Sequence, residues 1–400
     1  MTKEKSTVPR LRFPGFTDAW KQRKLGEVAD FSIKTNSLSR DKLSSYFYEV
    51  QNIHYGDILT KYDAILDVCN KELPSIIGST ISDFADDLLI EGDIVFADAA
   101  EDSTVGKAIE VRNFKGKNVV SGLHTIVARP KVSYAPYYLG YLINSTAYHN
   151  QILPLMQGTK VSSISKANLK STTIVFPTLP EQEAIGSFFS DLDQLITLHQ
   201  RKLDDVKELK KALLQKMFPK GNGNDFPELR FPEFKDAWKQ RKLGEVVDVC
   251  SGRDYKHLEA GSVPVYGTGG YMLSVSEALS ENVDAIGIGR KGTIDNPYIL
   301  KAPFWTVDTL FYCLPKQGSI LEFSYTIFQN INWRSMDEST GVPSLSKVRI
   351  NNIKVLTPSL QEQEAIGSFF SDLDQLITLH QRQLDHLKLL KKALLQQMFI

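Results

Sequence analysis

The chain has 400 residues, and its 47 Lys and Arg are matched by 47 Asp and Glu, so net charge neither favours nor excludes a nucleic-acid partner. This length suits two or more domains, since a domain commonly holds about 100–200 residues. No long apolar run and no signal-peptide core is present, and Cys69, Cys250 and Cys313 are far apart; we therefore expect a cytoplasmic protein with no membrane partner, disulfide framework or zinc site.

A charged block that contains tryptophan opens the chain and occurs again in its middle. The segment PRLRFPGFTDAWKQRKLGEVADF begins at Pro9, and PELRFPEFKDAWKQRKLGEVVDV begins at Pro227. The regions that follow, from about Ser32 and from about Cys250, share little sequence. The repeat predicts two halves that begin alike and then diverge.

The first variable region is predicted to be β-rich with short helices. Its β-branched and aromatic runs DIVFADAA and NVVSGLHTIVARP predict strands, and YAPYYLGYLINSTAYHNQIL predicts one helix. Its loops concentrate polar and basic side chains of the types that contact DNA bases or phosphates, although a solvated loop explains any one of them equally well. These candidate DNA contacts are Ser103, Thr104, Lys107, His124, Thr159, Lys160, Ser162 and Lys166.

A long helix is predicted after this region and again at the end of the chain. From Gln182 onward the apolar residues recur at steps of three and four, with Pro180 just ahead of the helix and Pro219, Gly221 and Gly223 after it. The segment from Glu181 occurs again from Glu362, with differences only at positions 202, 205, 206, 208 and 216. About 35 residues give a rod on the order of 50 Å. Such a rod needs a partner, and its copy would pack against it antiparallel.

One heptad line of each copy gives the predicted seam between the two helices. The seam residues are Leu192, His199, Val206, Leu213, Leu373, His380, Leu387 and Leu394. The two histidines raise the question of a metal or catalytic site. A hydrogen-bonded histidine within a helix seam is the preferred interpretation, because no second type of metal ligand accompanies either one.

The second variable region is predicted to be a divergent version of the first. DAIGIGRKGTI and FWTVDTLFYCL predict strands, SILEFSYTIFQNI predicts a helix, and TGVPSLSKVRIN near its end aligns with TKVSSISKANLK in the first region. Basic, aromatic and hydroxyl side chains again gather in its loops. The candidate DNA contacts are Arg253, Tyr255, Lys256, Tyr266, Thr268, Arg290, Lys291, Thr293 and Lys347.

No motif in the chain predicts catalysis. YGTGG and GIGRKGT fit neither a P-loop nor a dinucleotide-binding loop, and NPYI lacks the second proline of an amino-methyltransferase signature. The ELK at Glu208 is LLK in the second helix, so the acid of a nuclease-like E-x-K is lost. We expect no catalytic residue and no metal ligand in this chain.

The order of these segments closely resembles the specificity subunit of type I restriction-modification systems. The resemblance rests on LRFPGFTDAWKQRKLGEV and its copy, on LPEQEAIGSFFSDLDQLITLHQRKL and its copy, and on GTGG, IGIGRKGTI, FWTVDTLFY and TGVPSLSK in the second half. IEGDIVFADAAEDSTVGKA is similar to a different subtype of the same target-recognition domain. The two halves should therefore recognise different DNA sequences.

The resemblance implies an α+β fold with two α/β target-recognition domains separated by two long antiparallel coiled-coil helices, related by an internal pseudo-two-fold repeat. The predicted boundaries are 1–178 for the first recognition domain, 179–220 for the central helix, 221–359 for the second recognition domain and 360–400 for the C-terminal helix. It also implies a non-catalytic chain that binds a bipartite site in double-stranded DNA. Two methyltransferase subunits and the restriction and translocase subunits would be its partners, and they would hold AdoMet, ATP and Mg²⁺.

Two other functions remain open on the sequence. A two-armed scaffold whose variable regions bind proteins is the main alternative, and the balanced charge is its best support. An enzyme with an unrecognised site in one variable region is the other.

Overall fold

The structure is a computed structural model that describes residues 8–220 and 225–400. It divides into two compact units, Met1–His199 with Gln383–Ile400, and Gln200–Arg382. The division falls within the two long helices, whereas the sequence placed boundaries at their ends. The predicted helix terminators Gly221 and Gly223 lie outside the described residues. Among the described helices, none combines the length and apolar character that a membrane span requires.

Among its described residues, the first unit contains thirteen strands and six α-helices, counting the whole of the first long helix. The strands are β1 Lys21–Lys24, β2 Ala29–Asp30, β3 Leu43–Ser44, β4 Val50–Ile53, β5 Ile65–Asp67, β6 Ser75–Ile76, β7 Ile94–Ala97, β8 Ala99–Ala100, β9 Ala108–Arg112, β10 Asn118–Ser121, β11 Thr125–Pro130, β12 Ser162–Ser163 and β13 Thr173–Phe176. The helices are α1 Leu25–Val28, α2 Tyr55–Thr60, α3 Tyr138–Ile143, α4 Thr146–Ile152, α5 Lys166–Ser171 and α6 Leu179–Lys216, of which α6 continues into the second unit.

Two sheets carry the variable part of the first unit. One has the strand order β2-β11-β7-β9-β5 and the other β10-β4-β6-β3, while β1 pairs with β13 and β8 with β12. The central strands β7 and β4 are buried along their whole length, which explains their continuous apolar or uncharged sequence. A core cluster joins one face of the first sheet to α3, α4 and the long-helix segments of this unit.

In the part of the second unit that the structure describes there are nine strands and four α-helices, counting the whole of the second long helix. The strands are β14 Lys239–Lys242, β15 Val247–Ser251, β16 Ala260–Gly267, β17 Gly270–Val275, β18 Ala285–Gly289, β19 Tyr298–Leu300, β20 Trp305–Thr306, β21 Leu310–Pro315 and β22 Lys354–Thr357. The helices are α7 Leu243–Val246, α8 Leu321–Asn330, α9 Lys347–Asn351 and α10 Leu360–Met398, of which α10 continues into the first unit. The sheets have the orders β15-β21-β18-β19, β17-β16-β20 and β14-β22.

At the end of each long helix, a phenylalanine packs into the core of one unit and contacts the tryptophan of that unit's opening block. In the first unit the ring of Phe399 stacks on that of Phe189, with centroids 6.0 Å apart, and meets the edge of Trp20 at 6.4 Å. In the second unit Phe218 meets Trp238 at 5.5 Å. Phe218 and Phe399 lie just beyond the ends of α6 and α10, at the same position of the repeated segment, so the repeat places one buried phenylalanine in each core.

The helix segments within each unit run antiparallel, as the sequence predicts. In the first unit, Nζ of Lys391 lies 2.5 Å from a carboxylate oxygen of Asp193, and in the second unit Lys210 and Asp374 make the same contact at 2.5 Å. Of the predicted seam residues, Leu192, Leu387 and Leu394 contact the core of the first unit, and Leu213 and Leu373 that of the second. Val206, His199 and His380 are half-buried.

The opening blocks hold the start of each long helix through a buried ion pair. Arg12 donates from Nε and Nη2 to the two carboxylate oxygens of Glu181, at 2.5 and 2.7 Å, and Arg230 does the same to Glu362 at 2.8 and 2.7 Å. Two parallel N–H···O bonds fix the geometry of such a pair. The repeated residues of the opening block and of the helix therefore form one frame, built twice.

Two local predictions from the sequence were wrong. The single helix predicted over residues 134–153 is two helices, α3 and α4, because the hydroxyl of Ser145 accepts a hydrogen bond from the amide of Tyr148 and starts a new helix. The long helix begins at Leu179, so Pro180 lies inside its first turn rather than ahead of it. A proline is tolerated there because the first amides of a helix have no intrahelical acceptor.

Candidate nucleic-acid interface

In the second unit, several strand ends meet at one edge. β15 and β18 both pair antiparallel with β21, so they run in the same direction and end on the same side. Beyond their ends, the amide of Gly252 donates to the carbonyl of Leu310 at 3.1 Å, and the amide of Arg290 donates to that of Thr309 at 2.8 Å. The turn after β16 ends at this side too, since the amide of Val307 donates to Tyr266 at 3.0 Å. We call this side the second edge and define it by Arg253, Thr268, Arg290, Lys291 and Thr309.

A tight loop after β18 presents the basic side chains of the second edge. Gly292 has φ of +94°, which favours glycine, and its amide donates to Pro343 at 2.8 Å. The guanidinium carbon of Arg290 lies 5.8 Å from the ring centre of Phe311, and Nη1 donates to the carbonyl of Asp308 at 3.3 Å. Arg290 is nevertheless exposed. The loop holds a solvent-facing arginine in a defined position, with Lys291 beside it.

The remaining candidates of the second unit are spread around this edge. Lys347 is exposed in the first turn of α9, which the hydroxyl of Ser346 caps. Lys256 and Thr293 are exposed, as is Arg253 of the second edge. Tyr266 is half-buried near Tyr271 and Tyr298, and Tyr255 packs against a small apolar cluster. The structure therefore brings Arg253, Thr268, Arg290 and Lys291 together and gives the tyrosines a partly structural place.

The first unit has a corresponding edge with different side chains. β3, β4 and β10 run in one direction, because β3 and β4 each pair antiparallel with β6 and β10 pairs parallel with β4. Tyr46 and Phe47 follow β3 and are 80% and 77% exposed, Tyr55 follows β4, and His124 follows β10. Asp98 follows β7, and its amide donates to the carbonyl of His124 at 3.0 Å. We call this side the first edge and define it by Tyr46, Phe47, Tyr55, Asp98 and His124.

Asp98 and His124 form a partly exposed pair on the first edge. Nδ1 of His124 lies 3.3 Å from Oδ1 of Asp98, with side-chain exposures of 51% and 27%. His124 has φ of +54°, a left-handed conformation that is uncommon outside glycine. Burial raises the pKa of the Asp98 carboxyl, while His124 opposes that shift. The pair holds a hydrogen-bond acceptor at a fixed place beside solvent.

The other candidates of the first unit have varied surroundings. The Lys107 ammonium donates to the carbonyls of Leu59 and Tyr62 at 3.1 and 2.7 Å, and burial lowers its pKa. Lys166 donates to the carbonyl of Phe31 at 2.8 Å. Ser162 pairs with Ala100 in the short ladder that follows Asp98. Ser103, Thr104, Thr159 and Lys160 are exposed on loops.

Sequence reasoning missed Asp98 and the two exposed aromatics. Asp98 stands one residue after β7 in DIVFAD, as Arg290 stands one residue after β18 in DAIGIGR. Alignment of these two strands was the signal that could have found it. For Tyr46 and Phe47 no signal existed, because their exposure depends on the path of the chain between β3 and β4.

The long helices carry a second exposed feature, which is the same in both units. Leu195, Leu198 and Leu390 of the first unit are 40%, 47% and 39% exposed. Their counterparts Leu376, Leu379 and Leu209 of the second unit are 38%, 50% and 51% exposed. These leucines give both units the same exposed apolar surface on the long helices.

The family model described as the type I restriction modification DNA specificity domain matches residues 17–208 and 235–389. These two matches cover most of the chain. They include the first opening block from residue 17 onward, the second from residue 235 onward, and both edges. The chain belongs to this family. Membership makes it a specificity subunit, which recognises DNA and is not itself catalytic.

Similar proteins support this assignment along the whole chain. The putative type I restriction enzyme MjaX specificity subunit of Methanocaldococcus jannaschii is 23% identical over 94% of this chain and 92% of its own length. The MjaVIII specificity subunit of the same organism is 23% identical over 60% of this chain and 64% of its own length.

Solved structures support the fold. The crystal structure of the S subunit of a type I restriction-modification system from M. genitalium has a TM-score of 0.68, with 19% identity over 98% of this chain and 99% of that one. A chain from a structure of a type I restriction-modification system, determined to explain complex assembly and conformational transition, has a TM-score of 0.53 with 16% identity. It covers 95% of this chain and 97% of that one.

Among the described residues, no group of three or more His, Cys, Asp or Glu side chains is placed to hold a metal ion. His199 and His380 accordingly belong to no such group. A cavity of about 620 Å³ in the first unit lies between the opening block, α4 and the end of α10, and includes Arg10, Gln22 and Phe399. A similar cavity of about 510 Å³ in the second unit includes Gln240 and Phe218. Both cavities belong to the repeated frame rather than to the two edges.

Proposed function

We propose that this subunit binds a bipartite sequence in double-stranded DNA, with the first edge recognising one half-site and the second edge recognising the other. The observation that carries the proposal is the contrast between frame and edges. Arg12, Glu181 and Phe399 have exact counterparts in the second unit, whereas the corresponding edges bear unlike side chains. A DNA target with two unlike half-sites, bound by two units that share the same frame contacts, accounts for both facts.

Side-chain chemistry at the edges supports DNA as the ligand. Arginine pairs with guanine through two hydrogen bonds, and a carboxylate accepts a hydrogen bond from the amino group of cytosine. Lys291 and Lys347 add charge for phosphate contacts at the second edge. The exposed rings of Tyr46 and Phe47 offer apolar contact to sugars or bases at the first edge.

The repeated exposed leucines support the docking of two methyltransferase subunits. Each unit presents the same three side chains, and two copies of one partner would bury both sets alike. The restriction and translocase subunits would join through these methyltransferases. In this arrangement AdoMet, ATP and Mg²⁺ reside in the partner subunits, and the present chain contributes recognition.

The experiment that tests this function is methylation mapping of genomic DNA treated with the complex of this chain and its methyltransferase. We expect one discontinuous sequence motif. Exchange of residues 32–178 for the matching region of another specificity subunit should change one half of the motif and leave the other unchanged. Methylation without sequence preference, or a change in both halves, would contradict the proposal.

The two long helices are proposed to set the spacer between half-sites. Insertion of four residues after Leu203 lengthens α6 by about 6 Å, close to the rise of two base pairs. The mapped motif of this variant should therefore have a spacer of different length, with both half-sites unchanged. An unchanged spacer would refute the role of the helices as a ruler.

A protein-binding scaffold is the alternative function, and salt dependence separates it from DNA recognition. Phosphate contacts release counterions, so the logarithm of the DNA affinity should fall steeply with the logarithm of salt concentration. Affinity for duplex DNA that does not change with salt would favour the scaffold.

A further inference from the structure

The residue after β7 in the first unit and the residue after β18 in the second occupy equivalent positions in the fold. Asp98 donates its amide to the carbonyl of His124 at 3.0 Å, and Arg290 donates its amide to that of Thr309 at 2.8 Å. His124 and Thr309 each precede the neighbouring antiparallel strand, β11 or β21. The two residues therefore follow equivalent strands, β7 and β18, in the equivalent sheets of the two units.

The carbonyl side of the two positions matches as well. The carbonyl of Asp98 accepts from the amide of Ile164 at 2.8 Å, and that of Arg290 accepts from Leu345 at 2.9 Å. The next residue pairs with Ser163 in the first unit and with Ser344 in the second. These serines lie in the aligned segments SSISK and PSLSK. The equivalence thus rests on hydrogen bonds from both sides of the chain and does not depend on sequence similarity at the position itself.

The two equivalent side chains have opposite hydrogen-bonding chemistry. Arg290 offers only donors and is held over Phe311, with one N–H on the carbonyl of Asp308. Asp98, when ionised, offers only acceptors and is held by His124. Each is oriented by an aromatic side chain from the start of the adjacent strand, and each reaches solvent. An oriented side chain loses little freedom when it contacts a base.

On the proposed function, we infer that Asp98 and Arg290 are equivalent base-recognising residues that select opposite base chemistries in the two half-sites. Arg290 recognises a guanine through its O6 and N7 acceptors in the major groove. Asp98 recognises cytosine by accepting a hydrogen bond from its exocyclic N4 amino group. His124 is a positioning residue for Asp98.

The experiment is methylation mapping with the complete complex and three changes to this chain. Arg290→Gln should relax the motif at one guanine of one half-site, and the discrimination against other bases there should fall about tenfold to a hundredfold. Arg290→Lys should also relax that position, because the two-pronged contact is lost while the charge remains. Asp98→Asn should alter one position of the other half-site and shift it toward adenine, the base that asparagine prefers.

Matched controls separate the inference from general effects of charge. Arg241→Gln, at a position outside the second edge, and Asp18→Asn, in the opening block, should leave every position of the motif unchanged. Duplexes that carry the mapped site and its single-base variants then give relative affinities at two salt concentrations. A base contact appears as loss of discrimination at one position, whereas a phosphate contact weakens all sequences alike and lowers the salt slope.

The outcomes distinguish failure of the inference from failure of the proposed function. If the unchanged complex methylates without a sequence motif, the proposed function fails. If it has a bipartite motif and Arg290→Gln or Asp98→Asn leaves every position intact, the proposed function stands and the inference is overturned. Uniform weakening on all sequences would overturn it too. Relaxation of both half-sites by one change would contradict the assignment of one residue to each.

Discussion

The frame is the same in the two units of this subunit, whereas the edges differ between them. In the frame, Arg12 with Glu181 and Arg230 with Glu362 make the same contacts at nearly the same distances. At the edges, the same backbone position carries Asp98 in one unit and Arg290 in the other. Contacts that recur in both units provide common packing, whereas one backbone position with opposite side chains is what the proposed recognition of two unlike half-sites requires.

The largest expected effect is the loss of stability when the buried phenylalanine of one unit is removed. Phe399→Ala removes a ring that is buried against Trp20, Tyr138 and Phe189, and should lower the free energy of unfolding of the first unit by about 3–5 kcal/mol. Phe218→Ala should do the same to the second unit. Hydrogen exchange measured by mass spectrometry would show which unit loses protection.

Lys392→Ala, at an exposed position of α10, is the control for Phe399→Ala and should change stability little. Equal loss of protection in both units from either phenylalanine change would contradict the assignment of one buried phenylalanine to each core.

The two buried ion pairs of the frame differ in one neighbouring group, the indole of the nearby tryptophan. Nε1 of Trp238 donates to Glu362 at 3.2 Å, whereas Nε1 of Trp20 has no hydrogen-bond partner among the described residues. Arg12→Met leaves the buried Glu181 carboxylate without its main donor and should cost about 3 kcal/mol. Arg230→Met should cost about 1 kcal/mol less, since Trp238 still donates. Equal losses in chemical denaturation of the two variants would show that the indole bond contributes nothing.

A smaller difference is expected at the helix aspartates. The hydroxyl of Tyr141 donates to Asp193 at 2.7 Å, whereas Asp374 accepts from Gln329 at 3.4 Å. Tyr141→Phe should therefore destabilise the first unit by about 1.5 kcal/mol, because a hydrogen bond to a charged group is lost. Gln329→Leu should cost the second unit less. The midpoints of urea unfolding test this order, and a larger loss from Gln329→Leu would reverse it.

The smallest effect concerns the loop that supports the second edge. Oδ1 of Asp337 accepts from the amides of Ser344 and Ser339 at 2.9 and 3.0 Å, and these bonds hold the pKa of Asp337 below its usual range. Their stabilisation is present above the unfolded pKa and is lost as pH falls through the lower folded pKa. In the first unit the amide of Ser163 donates instead to the carbonyl of Gln157 at 2.7 Å, which does not titrate.

Asp337→Ala should therefore speed hydrogen exchange over residues 338–345 without changing the global unfolding midpoint. Residues 157–163 of the first unit should keep their exchange rates and serve as the internal reference. Unchanged exchange at Ser344 would show that the carboxylate does not order this loop.

Repetition and periodicity made most of the fold predictable. The spacing of apolar residues predicted both long helices, and the internal repeat predicted their antiparallel direction. The β-branched runs predicted β7, β11, β18 and β21. The division within the helices was not predictable, because it depends on which core each helix end enters. The break at Ser145 was missed because the apolar period continues across it, and a single capping hydroxyl decides it.

The candidate site was less predictable than the fold. Arg290 and Lys291 stood out because basic residues in a glycine-containing turn are conspicuous in sequence. Lys107 belongs to the same class of residue, yet its ammonium is taken up by two carbonyls of the chain around α2. Asp98 was overlooked because an acidic residue does not suggest contact with DNA until its structural equivalence to Arg290 is known.

One measurement tests the central claim that the repeated frame supports two edges, each of which recognises its half-site independently of the other. Genomic methylation should be mapped for the complex containing the unchanged chain and for the complex in which residues 32–178 come from another specificity subunit. The account predicts two bipartite motifs that share one half-site and the spacer and differ in the other half-site. Motifs that differ in both half-sites, or that do not differ at all, would contradict it.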